Sequence, residues 1–440
     1  MEIRKNHLFI KIFIILLIAL VLVIPTNMIQ NMVVERDQYR EQAVQEISSK
    51  WGEEQTISGP ILAVPFSRFE WRPTETKGNR QKVRVKDMLY ILPEDLKING
   101  TVHPEKRYRG IYEVVVYQSH LKMEGTFQLP DITGMDLDTS MIHWENAKVL
   151  LGVSDLKGID EKVKLVWNGV HHEFQPGLPH YGVIQKGIQT PVNMDGTSKE
   201  PIRFFTEVSI RGSENLFCLP VGQTSEIVLS STWPDPKFTG SILPKLRDVS
   251  DQGFTAQWNV LDLNRNYPQI WTGGNDDLDD ASLGIELLTP VDTYQKTYRS
   301  ARYAILFIAL TFTAFFFVEV IKGKRMHPVQ YGLVGAALIL FYTLLLSISE
   351  HLNFNIAYGI ASISTLSLIS IYVSSVLRSR ALAGLVSLVL VILYAFLFVT
   401  LQLQDYALLM GSIGLFTTLG IVMYFSRKVK WEEPTEASER

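Results

Sequence analysis

Along this chain the hydrophobic positions change their rhythm twice. Leu8 to Ile24 is one apolar run, and five more crowd the C-terminal third: Tyr303 to Ile321, Val329 to Ser349, Ile356 to Leu377, Ala381 to Leu401 and Ala407 to Phe425. A bilayer core takes about 20 consecutive apolar residues as helix, because in lipid the backbone can hydrogen-bond only to itself. Six transmembrane helices are therefore predicted. The first has the basic start of a secretory signal (Arg4, Lys5, Lys11), but its exit, Leu22-Val23-Ile24-Pro25-Thr26-Asn27, offers no small-x-small cleavage site, so it reads as an uncleaved signal anchor.

Between the first run and the others the rhythm is that of a soluble β protein. Ile61 to Phe66, Lys82 to Leu92, Arg109 to Lys122, Val149 to Val153, Ile202 to Ile210, Ser225 to Thr232, Phe254 to Val260 and Gly284 to Leu288 are β-branched or alternating, and Pro, Gly, Asn and Asp punctuate them. In Val83-Arg84-Val85-Lys86 apolar and basic residues alternate, as in a sheet with one wet face. The exception is Met28 to Ile47. There Ile29, Met32, Val33, Arg36, Tyr39, Arg40, Ala43 and Ile47 recur at three and four, which predicts an amphipathic helical stalk continuing the first span.

The fold class expected is a membrane protein of α+β type, with a large, mainly-β, sandwich-like extracytoplasmic domain. It comprises an anchor over residues 1–25, the β domain with its stalk over 26–302, a five-helix bundle over 303–425 and a tail over 426–440. Roughly 275 residues exceed the usual single core, so a pair of β modules, split in the Pro- and Gly-containing stretch 187–201, stands beside one large sandwich. No fixed-period repeat suggests a propeller or solenoid.

Composition narrows the partners. Over 440 residues the charged fraction is 20% and mean hydropathy is +0.11, too apolar for a soluble cytosolic enzyme or a disordered chain. A formal net charge of -3 leaves no basic footprint for nucleic acid, and membrane lipid is the partner the runs themselves imply. A single cysteine, Cys218, excludes an internal disulfide framework and a thiolate metal cluster. Lys and Arg fall on one side of six alternating helices: Arg4 and Lys5; Lys322, Lys324 and Arg325; Arg378 and Arg380; Arg427, Lys428 and Lys430. The opposite turns carry Glu350 and His351, or Gln404 and Asp405. Both termini are thus expected to be cytoplasmic and the β domain periplasmic.

Candidate chemistry is thin. His171, His172, Glu173 and His180 lie close together, but the spacing is not that of helical HExxH and Pro176, Gly177 and Pro179 break any helix, so a surface hairpin is expected rather than a zinc site. No nucleophile elbow, phosphate loop or dinucleotide fingerprint occurs, and no cofactor is implied. Glu319 is the ionisable residue set inside a span, one turn from Lys322, with which or with Arg325 it could pair at the membrane face; the other reading is a proton relay. Glu350 and His351 close the third span at the outer side, as an interfacial cap or as a contact to the β domain. Gly332, Gly335, Ala336, Ala337, Gly411 and Gly414 suit close helix packing.

Particular words of the sequence carry more. Arg107-Tyr108-Arg109-Gly110-Ile111-Tyr112, Ser154-Asp155-Leu156-Lys157-Gly158, Thr232-Trp233-Pro234-Asp235-Pro236, Thr289-Pro290-Val291-Asp292-Thr293-Tyr294 and His327-Pro328-Val329-Gln330-Tyr331 resemble the CreD family of bacterial inner-membrane proteins. Leu306 to Phe312 and Leu344 to His351 are the most specific stretches, and Asp235 departs from the family pattern. The resemblance implies a cell-envelope integrity protein tied to a two-component stress response, with no catalytic residue to carry over. His327 joins Glu319, Glu350 and His351 as a candidate functional residue on this ground. The function expected is non-enzymatic, the β domain binding a cell-wall component or envelope protein; a transporter or channel is the alternative, and a membrane-bound envelope hydrolase stands last.

Overall fold

A computed structural model of the chain describes residues 2–73, 80–129, 132, 135, 137–178, 184–196, 200–273, 278–287, 293–322, 326–403 and 406–427. By compactness it divides into a helical unit, Met1–Arg40 with Val291–Arg440, and a β unit, Glu41–Pro290.

The chain opens with α1 (Glu2–Val21) and α2 (Val23–Trp51). Their near-continuity has a local cause. Pro25 brings no N–H to the carbonyl of Val21, so the ladder is interrupted at Leu22 and resumes where Thr26 N donates to Leu22 O at 3.3 Å. The helical stalk read from Met28 to Ile47 lies inside α2, with Ile29, Val33 and Ala43 buried as the three-four spacing requires.

In the β unit β1 (Gln55–Pro73), β2 (Arg80–Ile91), β3 (Asp95–Arg109), β4 (Tyr112–Phe127) and β5 (Lys148–Val153) come first. Short strands follow: β6 (Lys164–Trp167), β7 (Val170–Glu173), β8 (Gln175–Pro176) and β9 (Gly187–Pro191). The rest are β10 (Ile202–Ser213), β11 (Asn215–Cys218), β12 (Thr224–Ser231), β13 (Pro236–Gly240), β14 (Leu246–Ser250), β15 (Gly253–Leu261), β16 (Ile270–Thr272) and β17 (Leu283–Leu287). They form two sheets. One runs β13-β17-β11-β1-β5-β9-β8, with β2 on β1 and β16 on β2; the other runs β14-β15-β12-β3-β4-β10-β6-β7. Pairing is antiparallel except for β1 with β11 and β3 with β12.

One hydrophobic cluster takes side chains from both sheets, among them Leu62, Val64 and Leu150 from the first and Ile98, Tyr117, Val208, Leu229 and Trp258 from the second. The stretch 187–201 leads from one sheet to the other. It begins with β9, which pairs with β5, and it ends just before β10, which pairs with β4. The alternation in β2 holds, since Arg84 and Lys86 are exposed while Val83 and Val85 are half-buried. Strand β3 is not visible in the sequence because Asn99-Gly100 and Pro104 interrupt it. Its burial nevertheless alternates over Leu96, Ile98, Gly100 and Val102, and at Gly100 a Cβ would lie 2.6 Å from Leu229 Cδ2 and 2.7 Å from Leu121 Cδ2, so both leucine side chains would have to shift.

The C-terminal portion of the helical unit holds α3 (Thr293–Arg302), α4 (Ala304–Lys322), α5 (Pro328–Ser349), α6 (Phe354–Leu377), α7 (Arg380–Gln402) and α8 (Ala407–Ser426). Their bounds follow the apolar runs to within a few residues, because each ends where polar or turn-forming residues begin. Among the described residues four helices are long and apolar enough to cross a membrane, or five if α3 and α4 count as one span bent by 43°. Of the six spans read from the sequence, that of α4 reaches membrane length among the described residues only together with α3, which lies in a stretch assigned to the β domain, and α8 has a described apolar run of Leu409–Tyr424. Of the small residues, Gly335 admits Leu22 (a Cβ would come 2.3 Å from its Cδ1) and Gly414 admits Phe396 (2.4 Å from Cζ), whereas Gly332 and Gly411 face open space.

Candidate functional site in the helical unit

The site is assembled from the end of α4, the start of α5 and Lys11 midway along α1. Helix α4 runs to Lys322 and α5 begins at Pro328, whose fixed φ suits the first helical position. His327 caps it: its Nδ1 accepts from Val329 N at 3.3 Å, and its own N donates to Gln330 Oε1 at 3.0 Å, a reciprocal box that satisfies two free backbone donors. His327 is exposed, and its role here is to start α5.

That start places Met326 and Tyr331 around Glu319, which is 7% exposed. Met326 N donates to Glu319 Oε1 at 3.1 Å, and Tyr331 Oη donates to Oε2 at 3.1 Å. Lys11, from α1, forms an ion pair with Oε1 and donates from Nζ to the carbonyl of Met326 at 2.8 Å. Both carboxylate oxygens are engaged. An unpaired charge at this depth is costly, so the lysine, the phenol and the backbone amide together are what make the ionised form tolerable. Among the described residues the partner is Lys11; the side chain of Lys322 and the residue Arg325, the partners the sequence suggested, lie outside the described residues. The sequence signal for Lys11 is its intrusion into the Leu8 to Ile24 run, where it reads equally well as a basic flank.

Glu350 closes α5 at the opposite end. Its Oε1 stands 3.6 Å from Arg36 Nε on α2, a pair whose side chains are 12% and 44% exposed respectively. Among the described residues His351 does not join it; its side chain is exposed, and its backbone N–H donates to Ile348 O at 3.0 Å. The turn residues Gln404 and Asp405 lie outside the described residues. In the bundle, Phe341 sits between Tyr358 and Tyr394 with ring centroids 5.4 and 4.8 Å away, and Tyr358 Oη donates to Tyr394 O at 2.8 Å.

In the β unit, His171, His172 and Glu173 lie on β7, in a hairpin whose turn residues Asn168 (φ 49°) and Gly169 (φ 84°) are both left-handed, as a tight two-residue turn demands. His180 lies outside the described residues. Glu173 pairs with Lys162 at 2.6 Å, which draws the carboxyl below and the ammonium above its ordinary value. Beside the hairpin is a cavity of about 260 Å³ with His172, Asn168, Asn193 and Glu200 in its lining. A second polar knot surrounds Gln55, which is fully buried. Its Nε2 donates to Asp155 O at 3.0 Å and Arg211 O at 2.9 Å, and its Oε1 accepts from Asp155 N at 3.2 Å. Arg107 and Arg211 flank the Trp51 ring at 3.9 and 5.0 Å. None of these groups is arranged as a nucleophile with its base.

Comparison with known proteins extends over almost the whole molecule. Residues 7–432 match the family described as inner membrane protein CreD. The chain is 32% identical over 431 residues to Inner membrane protein CreD of Escherichia coli (strain K12), an alignment covering 97% of this chain and 94% of that one. Agreement on that scale, with several membrane-length helices beside a large β-sheet region, places the chain in the CreD family of inner membrane proteins.

Proposed function

We propose that the chain is a non-enzymatic protein of the cell envelope whose β unit binds an envelope component or partner protein outside the membrane, while the helices anchor it. In this reading the chain crosses six times, both termini are cytoplasmic, and the two sheets form a periplasmic sandwich around their shared core. The family's integrity and stress-response role is taken over within the proposal.

The observation that carries it is the state of Glu319 and Glu350. Glu319 is held by the cation of Lys11, and Glu350 stands 3.6 Å from that of Arg36, both from the N-terminal helices. A transporter needs intramembrane charges that change partners, and here the geometry suits a fixed scaffold. The cavity beside β7 offers polar groups for an external ligand.

Two measurements test this together. Reporter fusions at Asn99 and Gly187 should locate the β unit outside. A photo-crosslinker placed at exposed Trp71 or Leu263 should capture a discrete envelope adduct in living cells. Cytoplasmic reporters at both positions would overturn the topology. No adduct from any outer position, combined with loss of the envelope phenotype in a stably expressed Glu319→Gln, Glu350→Gln, His351→Ala variant, would favour transport instead.

A further inference from the structure

Helix α3 carries Lys296, Arg299 and Arg302 and no acidic residue. It leads at Tyr303 straight into the apolar α4, so it stands where the polar chain gives way to the membrane span. Thr297, Ser300 and Ala301 form its buried side. Lys296 is occupied within the protein, its Nζ donating to Gln402 Oε1 at 3.2 Å and lying 5.7 Å over the Phe354 ring. The guanidinium groups of Arg299 and Arg302 have no ion pair or hydrogen bond among the described residues, and Arg302 is exposed.

Next to them, a cleft of about 330 Å³ between α2 and α3 is lined by Val33, Val34, Tyr294, Tyr298 and Arg299. Asp37, also in its wall, is neutralised by Arg40 at 3.1 Å. Such a lining combines two valines, two tyrosines and a guanidinium group. In the topology proposed above, these arginines also run against the bias that keeps Lys and Arg on the cytoplasmic side, and an anionic headgroup would offset their charge. Guanidinium forks match phosphate oxygens, tyrosines favour the headgroup layer, and valines suit an acyl chain.

We infer that α3 and its cleft bind an anionic glycerophospholipid, the phosphate held by Arg299 and Arg302 and an acyl chain laid along Val33 and Val34. The leaflet concerned rests on the proposed topology. Binding itself does not, since it needs only that α3 lie at a membrane face.

The test uses the full chain in nanodiscs of equal amounts of phosphatidylglycerol and phosphatidylcholine, with retained lipid read by native mass spectrometry. Wild type should retain phosphatidylglycerol in preference. Arg299→Gln with Arg302→Gln should lower that preference by about thirtyfold, as expected for two cations removed from a lipid surface. Arg378→Gln with Arg380→Gln, at the other end of the bundle, should leave it unchanged. Arg299→Lys with Arg302→Lys should keep a preference above that of the glutamine pair. If the glutamine pair fails to fold, Arg302→Gln alone must still lower the ratio. No preference in wild type, an unchanged ratio in the α3 variants, or an equal loss in the Arg378 and Arg380 variant would overturn the inference. The assay has both leaflets open, so a reversed topology would leave its outcome intact.

Discussion

Lys11 and Glu319, 308 positions apart in the chain, form an ion pair that ties the first helix to the end of α4. Tyr331 and the backbone of Met326 complete the shell, so the pair is also a joint between α1, α4 and the start of α5. Among the described residues the rest of what joins α1 to the other helices is apolar packing, and in lipid that packing competes with acyl chains of similar character.

Removing one partner should therefore cost more than removing both. Glu319→Leu or Lys11→Met alone leaves a buried charge and should destabilise the helical unit by about 3–5 kcal/mol, whereas the double variant should recover a substantial share. Thermal unfolding of the four proteins in one detergent gives the coupling directly. Strictly additive losses would mean that the two side chains act independently.

The pair Arg36 and Glu350 is more exposed and longer, at 3.6 Å. Glu350→Gln should cost under about 1 kcal/mol, Arg36→Gln about as much, and His351→Ala should fall within about half a kcal/mol. A loss of several kcal/mol at His351, measured the same way, would reveal a contact beyond its backbone hydrogen bond.

Gln55 meets three backbone groups from within the β core, and nothing apolar can replace them. Gln55→Leu is expected to lower β-unit stability on the order of 3 kcal/mol, since buried carbonyls and an N–H lose their partners. Gly158→Ala should act at the same point, because a Cβ there would lie 2.2 Å from Arg211 O and 2.4 Å from Gln55 Nε2. Denaturant midpoints of the full chain, followed by tryptophan fluorescence, check both; midpoints equal to wild type would show that the knot is dispensable.

Cys218 is fully buried, and burial pushes its thiol from 9.0 up to about 12. Tyr267 is likewise pushed up to about 12 by burial, and Tyr117 is raised for the same reason. A folded-state value above the unfolded one gives stability that is complete below the unfolded value and is lost as pH climbs to the folded value. The β unit should then weaken between roughly pH 9 and pH 12, and Cys218→Ala should flatten some of that slope. In the native protein Cys218 should resist maleimide at pH 8 and react after unfolding. Rapid labelling without denaturant would show the thiol to be accessible.

The sequence by itself determined where the membrane helices and most long strands lie. Apolar runs of membrane length and period-two alternation are local properties, readable without knowing any neighbour, and the family words along the chain added the kinship. Helix α3 was not legible this way, since ten residues with three cations resemble an exposed loop until packing buries Thr297, Ser300 and Ala301. The same holds for β3, where Gly100 and Pro104 mask an alternation that its partners β4 and β12 enforce. Tertiary structure alone decided the partners of the charged groups. Nothing near Glu319 in sequence names Lys11, and nothing near Glu350 names Arg36. What pairs a buried charge is the distance between helices set by packing, while the order of residues establishes only which charges must find a partner.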